Sequence, residues 1–551
     1  MAAPIKSTPA PLEGGFGKVG LHLDLRIQVL PIQALRRVAR EASEVGLNTL
    51  ILEWEGSFPF QEHAVISNRY AYTRREVQGF IRDCTRWGLD VIPLQQCFGH
   101  LEYILQHQRY AHLRESETDL CQLCPSRIDD AITTFSEIFR DIASAHPSDY
   151  FHIGGDETYL LGHCPKCRAR SQTHGKSHLY VEYFRRVAEE VIKLGKRPLL
   201  WVDMLLKHPE AAAQMPRECI FIDWNYGWSV DRFGDFQSLR SQPFEFWGAP
   251  AMRSSPDNHS SFSWATHLGN LRDYVPLARS MNFQGMILTS WSTSGVYGYE
   301  WESPGHALGL HPIRRVFPHL DLKILLAAFA RAATSAEPLA IEDFLLSYAH
   351  RQFGLAPRDC RAFLSALQLA DVSHSSGDLP AMLKNASASR RIFARLVPRR
   401  GGEEFARYGL LTDLLEHDLQ FKILQSHIQS PAFTEARRRY FLRKVSALLA
   451  ASEALSRRFE HVHRDELYLP ELQEETAYRL KGISELHARL SRSGRRLGTN
   501  AASRPRALSS PHARPAQRPV LLSPNPQDML IDSPAGNLLM AGSKTKELTS
   551  L

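Results

Sequence analysis

The chain has 551 residues, 43% of them hydrophobic, 23% charged and 10% aromatic. This is ordinary globular composition and excludes a fibre, wholesale disorder and a small disulfide scaffold. The formal charge is +7, but residues 491–551 hold nine basic against three acidic side chains and so carry +6 of it. The body is near neutral and offers no basic groove for nucleic acid. No uninterrupted apolar run reaches membrane-spanning length, so no membrane partner is expected. The N-terminal stretch lacks the apolar core of a secretory signal, and a cytoplasmic address is expected.

Residues 1–17 read as an N-terminal segment. From 18 to 314, short apolar strands alternate with amphipathic helices. The strands are VGLHLDLR, LNTLILEW, LDVIPLQQC, DYFHIGGDE, RPLLWVDML, CIFIDWNY, FEFWGAPAM and QGMILTSWS. Helical stretches between them include 31–45, 73–87, 127–145 and 179–194. Eight strand–helix repeats predict an α/β fold, a (β/α)₈ TIM barrel. A doubly wound open sheet fits less well, because no glycine-rich phosphate turn follows the first strand. Residues 315–490 show only three- and four-residue apolar spacing, which predicts an all-α C-terminal domain. That domain would cover a barrel face or form a homodimer interface. Residues 491–551, rich in Ser, Pro and Arg, predict a disordered basic tail, since they cannot bury enough apolar surface to offset ordering entropy.

In barrel enzymes chemistry sits where strands end. The fourth strand ends His152-Ile153-Gly154-Gly155-Asp156-Glu157. Read as extended chain, alternation places His152, Gly154 and Asp156 on one face. Two adjacent carboxylates repel, so one pKa is expected to rise toward the range of a general acid. Aromatic residues gather at other strand ends: Trp54, Trp201, Trp224, Tyr226, Trp247 and Trp291. Trp is scarce, nine in the chain, yet it supplies five of these six. As a set they read as walls of a cup that fits a sugar ring. Arg26, Glu53, Glu55, His100 and Asp203 are the polar partners for its hydroxyls.

The H-I-G-G-D-E run at His152–Glu157 resembles the signature of glycoside hydrolase family 20, the β-N-acetylhexosaminidases. Phe98-Gly99-His100, Trp224-x-Tyr226 and Trp291 match too. His22 to Arg26 and Glu53-Trp54-Glu55-x-x-Phe58-Pro59 look like the hexosaminidase D branch, which starts almost directly with the barrel. The resemblance covers about residues 18–310. It implies an exo-acting hydrolase that releases terminal non-reducing GlcNAc or GalNAc from an amino-sugar glycoside or glycoconjugate. It also implies a retaining mechanism without an enzyme nucleophile: the substrate's acetamido oxygen attacks the anomeric carbon and forms an oxazolinium-like intermediate. By position, Glu157 would be the acid–base group, and Asp156 would orient the acetamido group. Tyr226 would donate to the acetamido oxygen, and Trp201, Trp224 and Trp291 would enclose the ring. Arg26 would reach the far hydroxyls, with Glu53, Glu55 and His152 also lining the substrate site, and His100 would support Glu157. Many family members carry Glu two residues after the strand-eight Trp. Here Ser292 and Thr293 follow Trp291, leaving Glu300 or Glu302 to substitute.

Four of the eight cysteines form two C-x₂-C pairs, Cys121/Cys124 and Cys164/Cys167, separated by 39 residues. Barrel topology puts the loops after strands three and four side by side. The four thiolates are therefore candidate ligands of a structural zinc, with His163 as an alternate. Free thiols or disulfides are the other readings of this pattern. No cofactor is expected for the reaction. Cys84, Cys97, Cys219 and Cys360 read as buried apolar residues.

Three rivals use the same features. An aromatic cup alone would serve a non-catalytic amino-sugar-binding barrel. A chitinase-like hydrolase would need D-x-x-D-x-D-x-E along one strand, and that pattern is missing from the sequence. A scaffold built on the helical domain and cysteine loops would need no convergent acids.

Overall fold

The computed structural model describes residues 15–492, apart from 27, 208, 230, 255, 256, 259, 292–295, 302–307, 314–318 and 373–376. The expected tail, most of the N-terminal segment, Ser292, Thr293 and Glu302 thus lie outside the described residues, as does the side chain of Glu300.

Among the described residues nine strands form one parallel sheet: β1 (Lys18–Asp24), β2 (Thr49–Glu53), β3 (Asp90–Leu94), β4 (Tyr150–His152), β5 (Arg197–Trp201), β6 (Ile220–Trp224), β7 (Glu245–Ala249), β8 (Ala251–Arg253) and β9 (Gly285–Ser290). β1 pairs with β2 on one side and with β9 on the other, which closes the barrel. The short β8 adds to β9 just beyond β7, so eight staves remain, one from each expected segment. The fold is a (β/α)₈ barrel. Its staves are apolar on both faces because one face fills the interior and the other meets helices. Ile51, Ile92, Leu94, Leu199, Trp201, Ile220, Ile222, Trp247, Ala249 and Ile287 pack the interior.

The outer helices follow the sequence reading closely. The helix Ile32–Glu44 buries Leu35, Val38, Ala39 and Ala42 as one stripe. Arg74–Arg86 starts at Thr73, whose hydroxyl and amide exchange hydrogen bonds with Glu76 in a capping box. Ile128–Ala143, Lys176–Lys193 and Trp264–Ser280 complete the principal outer elements.

β4 departs from the reading. It holds only three residues, and Gly154, Gly155 and Glu157 all have positive φ. The segment after His152 is therefore a turn, and simple alternation does not place Asp156. After β9 an antiparallel hairpin, Val296–Trp301 with Leu308–Ile313, was not foreseen. Among the described residues seven helices of eleven residues or more follow, beginning with Lys323–Ala333 and ending with Leu469–Arg492. The first packs on Trp264–Ser280, where Arg279 Nη2 donates to the carbonyls of Ala332 and Ala333 at 3.1 and 3.0 Å. Among the described residues no helix is long and apolar enough to cross a membrane.

Candidate active site

The C-terminal ends of β1 to β6 and β9 converge on one mouth. His100 sits at its centre, with Nε2 3.3 Å from Asp156 Oδ2 and 3.4 Å from Glu157 Oε2. Arg26, two residues past β1, approaches the other ring nitrogen at 3.4 Å and is held by Asp24. Asp156 also accepts from Gln96 Nε2 at 3.3 Å. The same amide reaches Glu53 Oε1 at 3.2 Å, and Glu53 Oε2 meets His22 Nε2 at 3.1 Å. A buried polar chain thus runs from β1 through β2 and β3 to Asp156. On the far side, the Glu157 amide donates to Asp203 Oδ2 at 3.2 Å, and Trp224 Nε1 donates to Asp203 Oδ1 at 3.3 Å.

Among the described residues only four non-glycine residues have positive φ, and three are Glu55, His100 and Glu157. That conformation costs about 1–2 kcal/mol per residue and persists where surrounding packing imposes it. The exits of β2, β3 and β4 each bend in this way and turn a polar side chain into the mouth.

The electrostatics differ from the expected repulsion. Burial pushes the Asp156 and Glu157 carboxyls upward, but His100 pulls harder, and both settle below their ordinary values. Burial works against a charged His100; the charge of Asp156 and hydrogen bonds to both acids reverse this and hold its pKa well above normal. The carboxyl that rises is Asp203, pushed up to about 7 by burial and by the charge of Asp156. Burial drives the Glu55 carboxyl well above its usual range, with Arg26 opposing. Both Glu55 oxygens are buried without a hydrogen-bond partner among the described residues, the nearest Arg26 nitrogen lying 3.9 Å away. His152 is buried and held neutral; its Nδ1 accepts from the Gly154 amide at 3.0 Å.

The aromatic set divides. Trp201 lies between His152 and Trp291, with ring centroids at 4.5 and 5.9 Å. Trp291 Nε1 donates to the Tyr226 hydroxyl at 2.7 Å, and Trp224 stands 5.4 Å from the Tyr226 ring. These four form the walls. Trp54 and Trp247 do not. Trp54 packs outward among Phe58, Tyr72 and Phe80 and donates to His146. Trp247 contacts Tyr150 at the strand starts, on the barrel floor. Both follow from strand alternation, which sends neighbouring residues to opposite faces or different depths. Sequence reasoning gave no role in the site to Gln96, His22, Trp228 or Tyr159. Gln96 was marked only by a polar pair ending an apolar strand, and Trp228, 5.5 Å from Trp224, by the aromatic run after β6. Tyr159, 63% exposed, hydrogen-bonds Glu157 and carried no sequence signal.

The cysteine pairs come together only in part. Cys124, Cys164 and Cys167 cluster with Glu115. Cys121, the fourth expected ligand, stands outside that group because its backbone belongs to the turn of a short hairpin. His163 also stands outside it.

A closed barrel whose mouth joins adjacent acids, a charged imidazole and aromatic walls defines a glycoside hydrolase. Residues 50–231 match the glycosyl hydrolase family 20 catalytic domain. The chain's relatives include hexosaminidase D of Bos taurus, 28% identical over 288 residues, or 49% of this chain and 83% of the relative. Hexosaminidase D of Homo sapiens is 29% identical over 288 residues, covering 49% of this chain and 59% of the human protein. Among solved structures, the Flavobacterium johnsoniae chitobiase aligns with a TM-score of 0.49 and 16% identity, over 87% of this chain and 73% of that one.

Proposed function

We propose that this chain is an exo-acting β-N-acetylhexosaminidase that releases terminal non-reducing GlcNAc or GalNAc by a retaining, substrate-assisted route. The observation that carries this reading is the meeting of Asp156 and Glu157 on one imidazole beneath the Trp201, Trp224 and Trp291 walls.

In this mechanism the substrate's acetamido oxygen attacks the anomeric carbon while Glu157 protonates the leaving oxygen. The proton comes from the His100 imidazolium, 3.4 Å from Glu157 Oε2. Asp156, kept ionised, accepts the acetamido N–H and faces the developing positive charge; fixed charge in a dry site acts strongly on it. The Tyr226 hydroxyl accepts from Trp291 and keeps its own proton to donate to the acetamido oxygen. An internal nucleophile is effective only when held in place, and the aromatic walls hold it. Glu157 then takes a proton from water as it opens the intermediate. Arg26 and the Glu55 carboxyl, whose oxygens have no hydrogen-bond partner among the described residues, supply partners for far hydroxyls. Side chains and substrate carry every step.

The test is turnover of aryl β-glycosides of GlcNAc and GalNAc, set beside the glucoside that lacks the acetamido group. Hydrolysis of an acetamido sugar with none of the glucoside is expected. Glu157→Gln and Asp156→Asn should each lower kcat by ~10²–10⁴ while circular dichroism stays native. Equal turnover of the glucoside, or near-normal kcat in Glu157→Gln, would overturn the mechanism. Binding of the amino sugar without turnover would favour a sugar-binding barrel.

A further inference from the structure

The loops that follow β3 and β4 carry a second cluster that the reaction does not use. Cys124 Sγ lies 3.6 Å from Cys164 Sγ and 3.4 Å from Cys167 Sγ. These separations are far longer than a disulfide's ~2.05 Å. Sulfurs bound at ~2.3 Å around one tetrahedral ion stand ~3.8 Å apart, close to what is seen.

The fourth corner is Glu115, buried at 3% exposure. Arg114 bridges Leu123 across a short hairpin, and the Glu115 amide donates to the Gln122 carbonyl at 3.0 Å, which carries Glu115 beside Cys124. Its Oε1 accepts from the Cys164 amide at 2.7 Å, while its Oε2 is buried with no hydrogen-bond partner. A carboxylate oxygen left bare in a buried site is costly unless a cation or proton meets it. Its ligand atom and the three sulfurs all lie within 4.8 Å of one another. Cys121 lies outside this group; its amide donates to Asp119 Oδ1 and its carbonyl accepts from the Leu101 amide.

Outer groups fit thiolates. Ser126 Oγ lies 3.0 Å from Cys167 Sγ, and the Cys167 amide donates to Cys164 Sγ at 3.4 Å. Arg170 Nη1 donates to Ser126 Oγ and the Pro125 carbonyl, each at 3.3 Å, placing positive charge beside the cluster. Such partners orient ligands and tune a metal. The other buried acid–histidine group, Asp321, His463 and Glu466, already holds the Arg407 guanidinium.

We propose that Glu115, Cys124, Cys164 and Cys167 bind a structural zinc ion that ties the β3 loop to the segment leading out of Glu157. Soft thiolates select zinc over magnesium or calcium. Binding deprotonates three thiols and releases three protons to solvent, and four protein ligands leave no open position for catalysis. The Leu160 amide, donating to Gln122 Oε1 at 2.8 Å, is a second tie between the same loops.

The full chain, purified and loaded with zinc, is measured by mass spectrometry for metal and by X-ray absorption at the zinc edge. One zinc per chain with three sulfur neighbours and one light-atom neighbour is expected. Cys121→Ser should keep its zinc; Cys124→Ser and Cys164→Ser should lose it. Glu115→Gln should need at least tenfold less chelator to be stripped. Absence of stoichiometric zinc, a Cys124–Cys167 disulfide, or a four-sulfur shell overturns the assignment. The absorption spectrum of the unmodified chain decides the matter even where a variant does not fold. Glycoside turnover by zinc-loaded chain is scored separately, so failure here leaves the proposed reaction standing.

Discussion

In the proposed reaction the general acid needs a proton at the pH where it works, and His100, whose pKa is raised by the facing acids, is the group that supplies it. The groups facing that imidazole are Asp156 and Glu157 from the β4 exit and Arg26 from the β1 exit. The two acids outweigh burial and the guanidinium, so His100 stays charged until pH rises through its raised pKa. The carboxyls lie below their ordinary values and stay ionised until pH falls through those lowered values. The active window therefore opens below the raised imidazole pKa and closes below the lowered Asp156 pKa. His100→Asn removes the cation. Burial then pushes both carboxyls up, which raises the acid limb, while the basic limb falls to the pKa of an unaided Glu157. The pH profile of kcat/KM should narrow from both sides. An unshifted basic limb in this variant would show that the proton resides elsewhere, Asp203 at about 7 being the other carrier.

At the scale of elements, two tyrosines on Lys176–Lys193 brace the strand exits: Tyr180 donates to the Gly155 carbonyl at 2.9 Å and Tyr183 to the Cys97 carbonyl at 2.6 Å. Against this fixed backing, Gly154 has φ +71°, and a Cβ there would fall 1.9 Å from Gln96 Oε1. Gln96 is a flexible side chain, so Gly154→Ala should fold after swinging it away, at a backbone cost of about 1–2 kcal/mol. The swing breaks the link from Glu53 to Asp156, and kcat should fall ~10–10²-fold, the scale of a small misplacement. Steady-state kinetics beside a thermal melt check this; wild-type kcat would mean that Gln96 does not position Asp156. The same turn explains what the sequence revealed and withheld. Eight staves were readable because each is a short apolar run between turn residues. The acid pair was readable because it stands in the turn just past one of them. Nothing in Glu55, His100 or Glu157 announces a positive φ, a conformation imposed by packing. Glu115 was hidden for a related reason, since a hairpin brings it to cysteines nine or more residues away.

At the scale of the molecule, the barrel closes onto the helices through one buried charge cluster. The Ser290 hydroxyl, at the end of β9, meets His319 Nδ1 at 3.1 Å. Asp321, two residues on, pairs with Arg407 of the helix Gly402–Gln429 at 2.7 Å. Arg407 also pairs with Glu466, and His463 lies 3.6 Å from Asp321 and 3.5 Å from Glu466. Burial pushes the Glu466 carboxyl up, but His463 and Arg407 bring it down to about 2, so the cluster depends on its cations. Arg407→Met keeps most of the side-chain volume and leaves two buried carboxylates facing one histidine. Removing one partner of a buried pair costs about 3–5 kcal/mol, and urea unfolding should show a loss of that order. The acids then regain raised pKa values and bind protons in the folded state that the unfolded chain does not. The deficit should therefore shrink as pH falls from 7 toward 5. Arg407 bonds Asp321, His463 and Glu466 and, among the described contacts, none of the mouth residues, so kcat on an aryl glycoside should hold at temperatures where the variant stays folded. A pH-independent loss would mean that the missing contacts are packing contacts and that charge plays no part in joining helices to barrel.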